Sequence, residues 1–187
     1  MEQFNALSLS HDVMSRHVKH GDFCIDATAG NGWDTLFLCE LTGKTGKVIA
    51  FDIQTQAIEN TRKRIEEAGF SDICSVQHDS HSNMELYAEA ESASLVCFNF
   101  GWLPGGDHNI NTNAATSIEA IRKGLDILRH GGLMSMCIYY GRETGIDERD
   151  AILEYVKSLD FRKYTVLECS FANRVNCPSI PVFIFKD

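Results

Sequence analysis

The chain has 187 residues, 44% of them hydrophobic and 23% charged, with a formal net charge of −9. That length and balance suit one globular domain with a substantial core, and the acidic sum argues against broad non-specific nucleic-acid binding while allowing a local basic patch. No apolar run reaches the length of a membrane span and the first residues show no signal-peptide pattern, so a cytoplasmic protein with no membrane partner is expected.

Residues 6 to 19, with Leu9, Val13 and Met14 at helical spacing, predict an amphipathic helix ended by Gly21-Asp22; His11 and His17 on it read as surface or packing residues. Phe23 to Ile25 predicts a first strand. It breaks into Asp26-Ala27-Thr28-Ala29-Gly30-Asn31-Gly32-Trp33-Asp34-Thr35, and a helical pattern with Leu36, Phe37 and Leu41 follows. That is a strand, a tight glycine turn and a helix N-terminus, an arrangement that offers backbone N–H groups to a ligand's negative group. After a loop at 42–46, Lys47 to Asp52 predicts a second strand, and 54–68 a helix with Ile58, Thr61, Ile65 and Ala68 on one face, stopped by Gly69.

Ile73 to Gln77 predicts a third strand, ending at His78-Asp79-Ser80-His81. Ala93 to Phe100 predicts a fourth, entering the loop Gly101-Trp102-Leu103-Pro104-Gly105-Gly106-Asp107-His108. Thr112 or Asn113 can cap the next helix, whose stripe is Ile118, Ile121, Leu125 and Leu128. Gly131-Gly132 turns into a fifth strand, Leu133 to Tyr139, and 147–158 is helical. Two β-like stretches close the chain, Tyr164 to Phe171 and Pro181 to Phe185, around a polar loop with Asn173, Arg174 and Asn176.

Strands alternating with helices predict an α/β fold with a mostly parallel sheet and helices on both faces. The last two strands, with no helix between them, should form an antiparallel hairpin at the sheet edge. A seven-stranded, Rossmann-like sheet of this kind, as one domain over residues 1–187, is the layout of class I methyltransferases. Ligands of such sheets bind at the carboxyl ends of the strands. The seven cysteines, at 24, 39, 74, 97, 137, 169 and 177, form no C-x-x-C and sit mostly in apolar runs. Free thiols in a reducing compartment are expected, and no metal site.

The glycine turn departs from the dinucleotide fingerprint, since Thr35 stands at its third glycine. Asp26 and Asp34 would repel a pyrophosphate. S-adenosylmethionine has no phosphate; its carboxylate suits the helix N-terminus, and its ammonium and sulfonium suit acids. The residues favour it over NAD, the rival reading being an ordinary glycine turn with no ligand. Asp52 ends the second strand roughly 20 residues past the turn, the spacing at which a carboxylate takes both ribose hydroxyls; its other reading is a helix N-cap. Gln54 either touches the ribose or adenine edge or lies on the surface. Asp79 reads as an acceptor for the adenine amino group or as a cap, and His81 as a site-lining residue. His78, Asp79 and His81 leave one strand too close together to converge on a metal.

Asn99-Phe100-Gly101-Trp102 looks like a relaxed form of the Asn-Pro-Pro-aromatic turn of amino-methylating enzymes, in which the Asn carbonyl accepts from the substrate amine and the aromatic stacks on a planar substrate. Phe100 and Trp102 have packing as their bland reading. Asp107 or His108 could take the proton that an ammonium must lose, unless the stretch is only a turn. Tyr139 and Tyr140 end the fifth strand, one of them, Tyr140 by choice, to stack on substrate. Arg142, Arg162, Lys163 and Arg174 form a candidate phosphate rim or are plain surface charge.

Asp26 to Thr35, Asn99 to His108 and the Tyr-Tyr-Gly after the fifth strand together resemble the bacterial family labelled "putative rRNA methylase", over nearly the whole chain. The resemblance implies a class I methyltransferase fold and methylation of the aminomethyl group of 5-aminomethyl-2-thiouridine at the tRNA wobble position, with the anticodon stem-loop as partner. It implies that Gly30, Asn31, Gly32, Asp52, Gln54 and Asp79 contact the donor and that the Asn99 to His108 loop meets the substrate. Trp102 stands where a tyrosine is common in the family. The rival functions are a small-molecule or rRNA methyltransferase and a non-catalytic donor-binding module. The oligomeric state stays open, a homodimer included.

Overall fold

A computed structural model describes residues 4–101, 114–141, 143–175 and 178–187, with backbone alone at 143 and 144. Trp102, Asp107, His108, Arg142, Asn176 and Cys177, and the cap expected at Thr112 or Asn113, lie outside the described residues.

The first helix, α1 (Ala6–His17), starts on a reciprocal cap: Ser8 N–H donates to Asn5 Oδ1 and Asn5 N–H to Ser8 Oγ, both at 2.9 Å. It ends two residues before the expected position, because Asp22 Oδ2 takes the Lys19 N–H at 2.8 Å and Gly21 turns the chain at φ 88°. Next come β1 (Phe23–Asp26), α2 (Trp33–Thr42), β2 (Lys47–Asp52), α3 (Thr55–Glu67) and β3 (Cys74–His78). A 3-10 turn at His81–Leu86, which no hydrophobic period announces, leads into β4 (Ala93–Phe100).

Further boundaries correct the sequence reading, among them the start of the last helix at Glu143 where 147 is expected. Helix α4 (Ala114–Ile127) runs straight into β5 (Leu128–Ile138), so Leu128 belongs to the strand, where it pairs with Ala93. Arg129 to Gly131 then loop out before Leu133 re-enters the ladder opposite Leu95. After α5 (Glu143–Lys157), β6 (Tyr164–Glu168) stops short of the expected Phe171, and β7 (Ile180–Lys186) completes the chain.

The seven strands form one sheet in the order β3-β2-β1-β4-β5-β7-β6. The first five are parallel; β7 lies antiparallel between β5 and β6. This is the class I methyltransferase arrangement. Strand alternation divides the core. Cys24, Val48, Leu95, Cys97 and Leu133 meet Met14 of α1, Leu38 of α2 and Ile65 of α3 on one face. Ile25, Phe51, Val96, Phe98 and Met136 meet Ile121 of α4, Ile152 of α5 and Met84 of the 3-10 turn on the other. Six described cysteines are free thiols, and the described residues hold no cluster suited to a metal. None of the described helices is long and apolar enough to cross a membrane.

Candidate active site

The carboxyl ends of β1, β2 and β4 converge on the glycine turn. Ala27 N–H donates to Cys97 O at 2.9 Å and Ala29 N–H to Phe51 O at 2.8 Å, so the turn is stitched to both neighbouring strands. Gly30 and Gly32 take φ of 53° and 78°, conformations that glycine adopts at least cost. Gly32 has a second reason. A Cβ there would lie 2.9 Å from Thr61 Cα on α3, so this glycine lets the turn lie against a helix. Gly32 also caps α2 without a side chain, leaving the first N–H groups of that helix without a side-chain acceptor.

Asp52 reaches back to the turn: Oδ2 accepts from Gly30 N–H and Oδ1 from Gln54 N–H, both at 2.9 Å. Gln54 is the N-cap residue of α3, yet its side chain makes no cap bond. Asn31 faces α3, its carbonyl accepting from Arg64 Nε at 2.8 Å and its Oδ1 from Asn60 Nδ2 at 2.9 Å. The Arg64 guanidinium also lies over the exposed Trp33 ring at 3.3 Å.

Asp26 is fully buried and accepts from Thr35 Oγ1 at 2.6 Å and Thr28 N–H at 3.1 Å. Burial first, and then the charge of Asp34, push its carboxyl upward, against those two donors. Asp34 is a junction. Its Oδ1 lies 2.7 Å from His11 Nε2, and its Oδ2 accepts from Asn99 Nδ2 at 2.6 Å. Asn99 N–H donates to Thr28 Oγ1 at 2.6 Å. Position 99 shares the parity of Leu95 and Cys97, which is why Asn99 turns to the α1 and α2 side; Phe100 is buried on the opposite face with Phe98.

On that opposite face His81 stands edge-on to Phe98 and Phe100. Its Nε2 is the one buried side-chain polar atom with no partner among the described residues. Desolvation lowers its pKa, against the Ala27 backbone and Asp52. Asp79 braces the 3-10 turn: Oδ1 accepts from Ser80 N–H at 2.7 Å and Asn83 Nδ2 at 2.8 Å, and Oδ2 from Tyr87 OH at 2.8 Å. Those donors, Asn83 foremost, hold it below its usual range.

The rim differs from the sequence reading. Arg162 and Lys163 precede β6, and the register puts that end of β6 beside the start of β5, opposite the strand ends that carry Asp52 and Asn99. They cannot join a rim there, and Arg162 is paired with Asp160 at 2.9 Å. Arg174 lies over Phe171 and donates to Phe4 O. Tyr140 lies under the Arg149 guanidinium at 4.5 Å, while Tyr139 is the more exposed of the two tyrosines. Two contributors to this network escaped the sequence reading, His11 and Thr28. The apolar Ile53, next to Asp52, is 55% exposed.

The chain is similar to proteins of one family. The family model described as "Putative rRNA methylase" matches residues 48–185. A tRNA (mnm5s2U34)-methyltransferase, chloroplastic, from Arabidopsis thaliana is 33% identical over 97% of this chain and 69% of its own. The crystal structure of a "putative rRNA-methylase" from Clostridium thermocellum superposes with a TM-score of 0.96 at 42% identity, covering 100% of both chains. A protein from Streptococcus mutans described as "a putative methyltransferase", solved in complex with SAH, superposes with a TM-score of 0.89 at 35% identity, covering 99% of each.

Proposed function

The chain belongs to the "Putative rRNA methylase" family, an S-adenosylmethionine-dependent methyltransferase on that footing, and from this premise we propose that it methylates an exocyclic amine, the aminomethyl group of 5-aminomethyl-2-thiouridine at the tRNA wobble position. The observation that carries the amine is Asn99. Its Nδ2 is committed to Asp34, and no described residue donates to its Oδ1. A carboxamide held that way presents an acceptor, which an amine N–H satisfies.

The donor supplies a methyl group already activated on a sulfonium. The chain's residues fit such a ligand: the uncapped N–H groups of α2 for its carboxylate, Asp52 for ribose hydroxyls, and Ile53 with Gln54 beside them for the base. Asp26, Gly30, Asn31, Gly32, Thr35, Asp79 and His81 complete the donor site, directly or by shaping the turn. Asp34 places a negative charge near the ligand's cationic end. Asn99 aims the acceptor nitrogen, and Phe100 backs the strand end. Trp102, Tyr140 and Arg142 are proposed for the RNA, and Asp107 or His108 for the departing proton. Positioning and exclusion of water supply most of the rate.

The test mixes protein, donor and tRNA bearing 5-aminomethyl-2-thiouridine, then digests the tRNA for nucleoside mass spectrometry. Gain of one methyl on that nucleoside is expected. A methyl appearing on another RNA or on a small metabolite instead would remove the wobble assignment and keep the methyltransferase.

A further inference from the structure

The side chains of His11, Asp34 and Asn99 come from α1, α2 and β4 and form one chain of hydrogen bonds. The middle member, Asp34, is 8% exposed and has a partner on each oxygen, at 2.7 Å and 2.6 Å. Either oxygen of a carboxylate is an acceptor, and the His11 bond on Oδ1 fixes the carboxylate plane so that Oδ2 is aimed at Asn99. Only the Nδ2 end of a carboxamide can answer an acceptor; the carbonyl end would be repelled. His11 is held as firmly. Its ring stacks on Phe37 at 4.0 Å and 11°, and the adjoining Ser10 Oγ meets Cys137 Sγ at 3.2 Å, pinning α1 to β5. Asn99 itself is fixed at the backbone by Thr28.

We propose that His11 and Asp34 are positioning residues for methyl transfer, which lock the Asn99 carboxamide with its oxygen toward the acceptor amine. This rests on the amine reading of the acceptor. In the step it serves, the nitrogen lone pair forms the new N–C bond, the C–S bond breaks with its electrons left on sulfur, and the surplus proton leaves nitrogen for the base proposed above. With Oδ1 forward, Asn99 accepts an N–H and the lone pair is left to point at the methyl. With the amide reversed, Nδ2 would donate to that lone pair and block attack.

Two measurements test this, and one needs no acceptor. In 15N-labelled protein saturated with S-adenosylhomocysteine, the Asn99 side-chain amide protons should be widely separated in wild type and in His11→Gln, whose amide nitrogen can replace Nε2. In His11→Ala and Asp34→Asn they should collapse toward the positions of a free amide. In turnover assays, His11→Ala and Asp34→Asn should lower kcat by roughly 10- to 100-fold, the scale of a misplaced reactant. Donor Kd in His11→Ala should move by less than about 3-fold, and His11→Gln should recover most of kcat. Equal losses in His11→Gln and His11→Ala, or unchanged Asn99 resonances in His11→Ala, overturn the proposal. A wild type that shows the locked amide but methylates no tRNA upholds the lock and sinks the substrate reading instead.

Discussion

Asp52 Oδ2 accepts the Gly30 N–H at 2.9 Å, so the carboxylate at the end of β2 and the glycine turn after β1 are one unit. Asp52→Ala therefore removes the proposed acceptor for the ribose and also frees the turn. Donor affinity should fall by about 1–3 kcal/mol, the usual loss for a charged hydrogen-bond acceptor. Calorimetry with S-adenosylmethionine and with S-adenosylhomocysteine measures it; an unaltered Kd would take Asp52 out of the site. NADH should not bind.

Asn99→Ala should separate chemistry from binding. The side chain touches Asp34 and is proposed to face the acceptor, while Thr28 meets only the Asn99 backbone and keeps its bond. We expect kcat to drop by about 100-fold with donor Kd nearly constant, read from single-turnover rates and calorimetry. A variant that loses donor affinity in proportion to kcat would show that Asn99 holds the cofactor.

Gly32→Ala should cost stability whatever the ligand. A φ of 78° costs an L-residue about 1–2 kcal/mol. The added Cβ would also sit 2.9 Å from Thr61 Cα, a backbone atom that no side-chain rotation moves. A loss of about 2 kcal/mol or more, and so a melting temperature lower by about 4–8 °C, is expected by thermal denaturation without ligand. Wild-type stability in this variant would contradict the close approach of α2 and α3.

Stability should fall on mild acidification. Burial lowers the pKa of His81 from an ordinary 6.5, and of His17 likewise, so the unfolded chain takes up those protons first. The stability that the neutral rings provide is present above about pH 6.5 and is lost as pH falls below it. His81→Gln, which does not titrate, should flatten the slope of melting temperature between pH 7 and pH 5 in part, leaving the share of His17. An unchanged slope would mean that His81 is already protonated or solvated in the fold.

Much of this was legible in the chain itself. Alternating apolar runs and helical stripes set the order of elements, because period and turn chemistry are local. The glycine turn, Asp52 and Asn99 were recognisable because each closes a strand, where class I sheets carry their ligands. What stayed hidden depended on partners far along the chain. His11 looked like a surface residue of an amphipathic helix until α1 docked and brought it to Asp34. Leu128 continued a helical stripe, yet pairing with Ala93 claimed it for β5. Arg162 seemed free to join a phosphate rim until the insertion of β7 between β5 and β6 set its end of the sheet. Gly32 reads in the sequence as serving a ligand, and in the fold it makes room for Thr61. Local sequence determined the order of the strands and main helices along the chain and which faces are apolar; packing across the sheet decided which side chains meet, since such contacts depend on strand order and register, and neither is written within a single element.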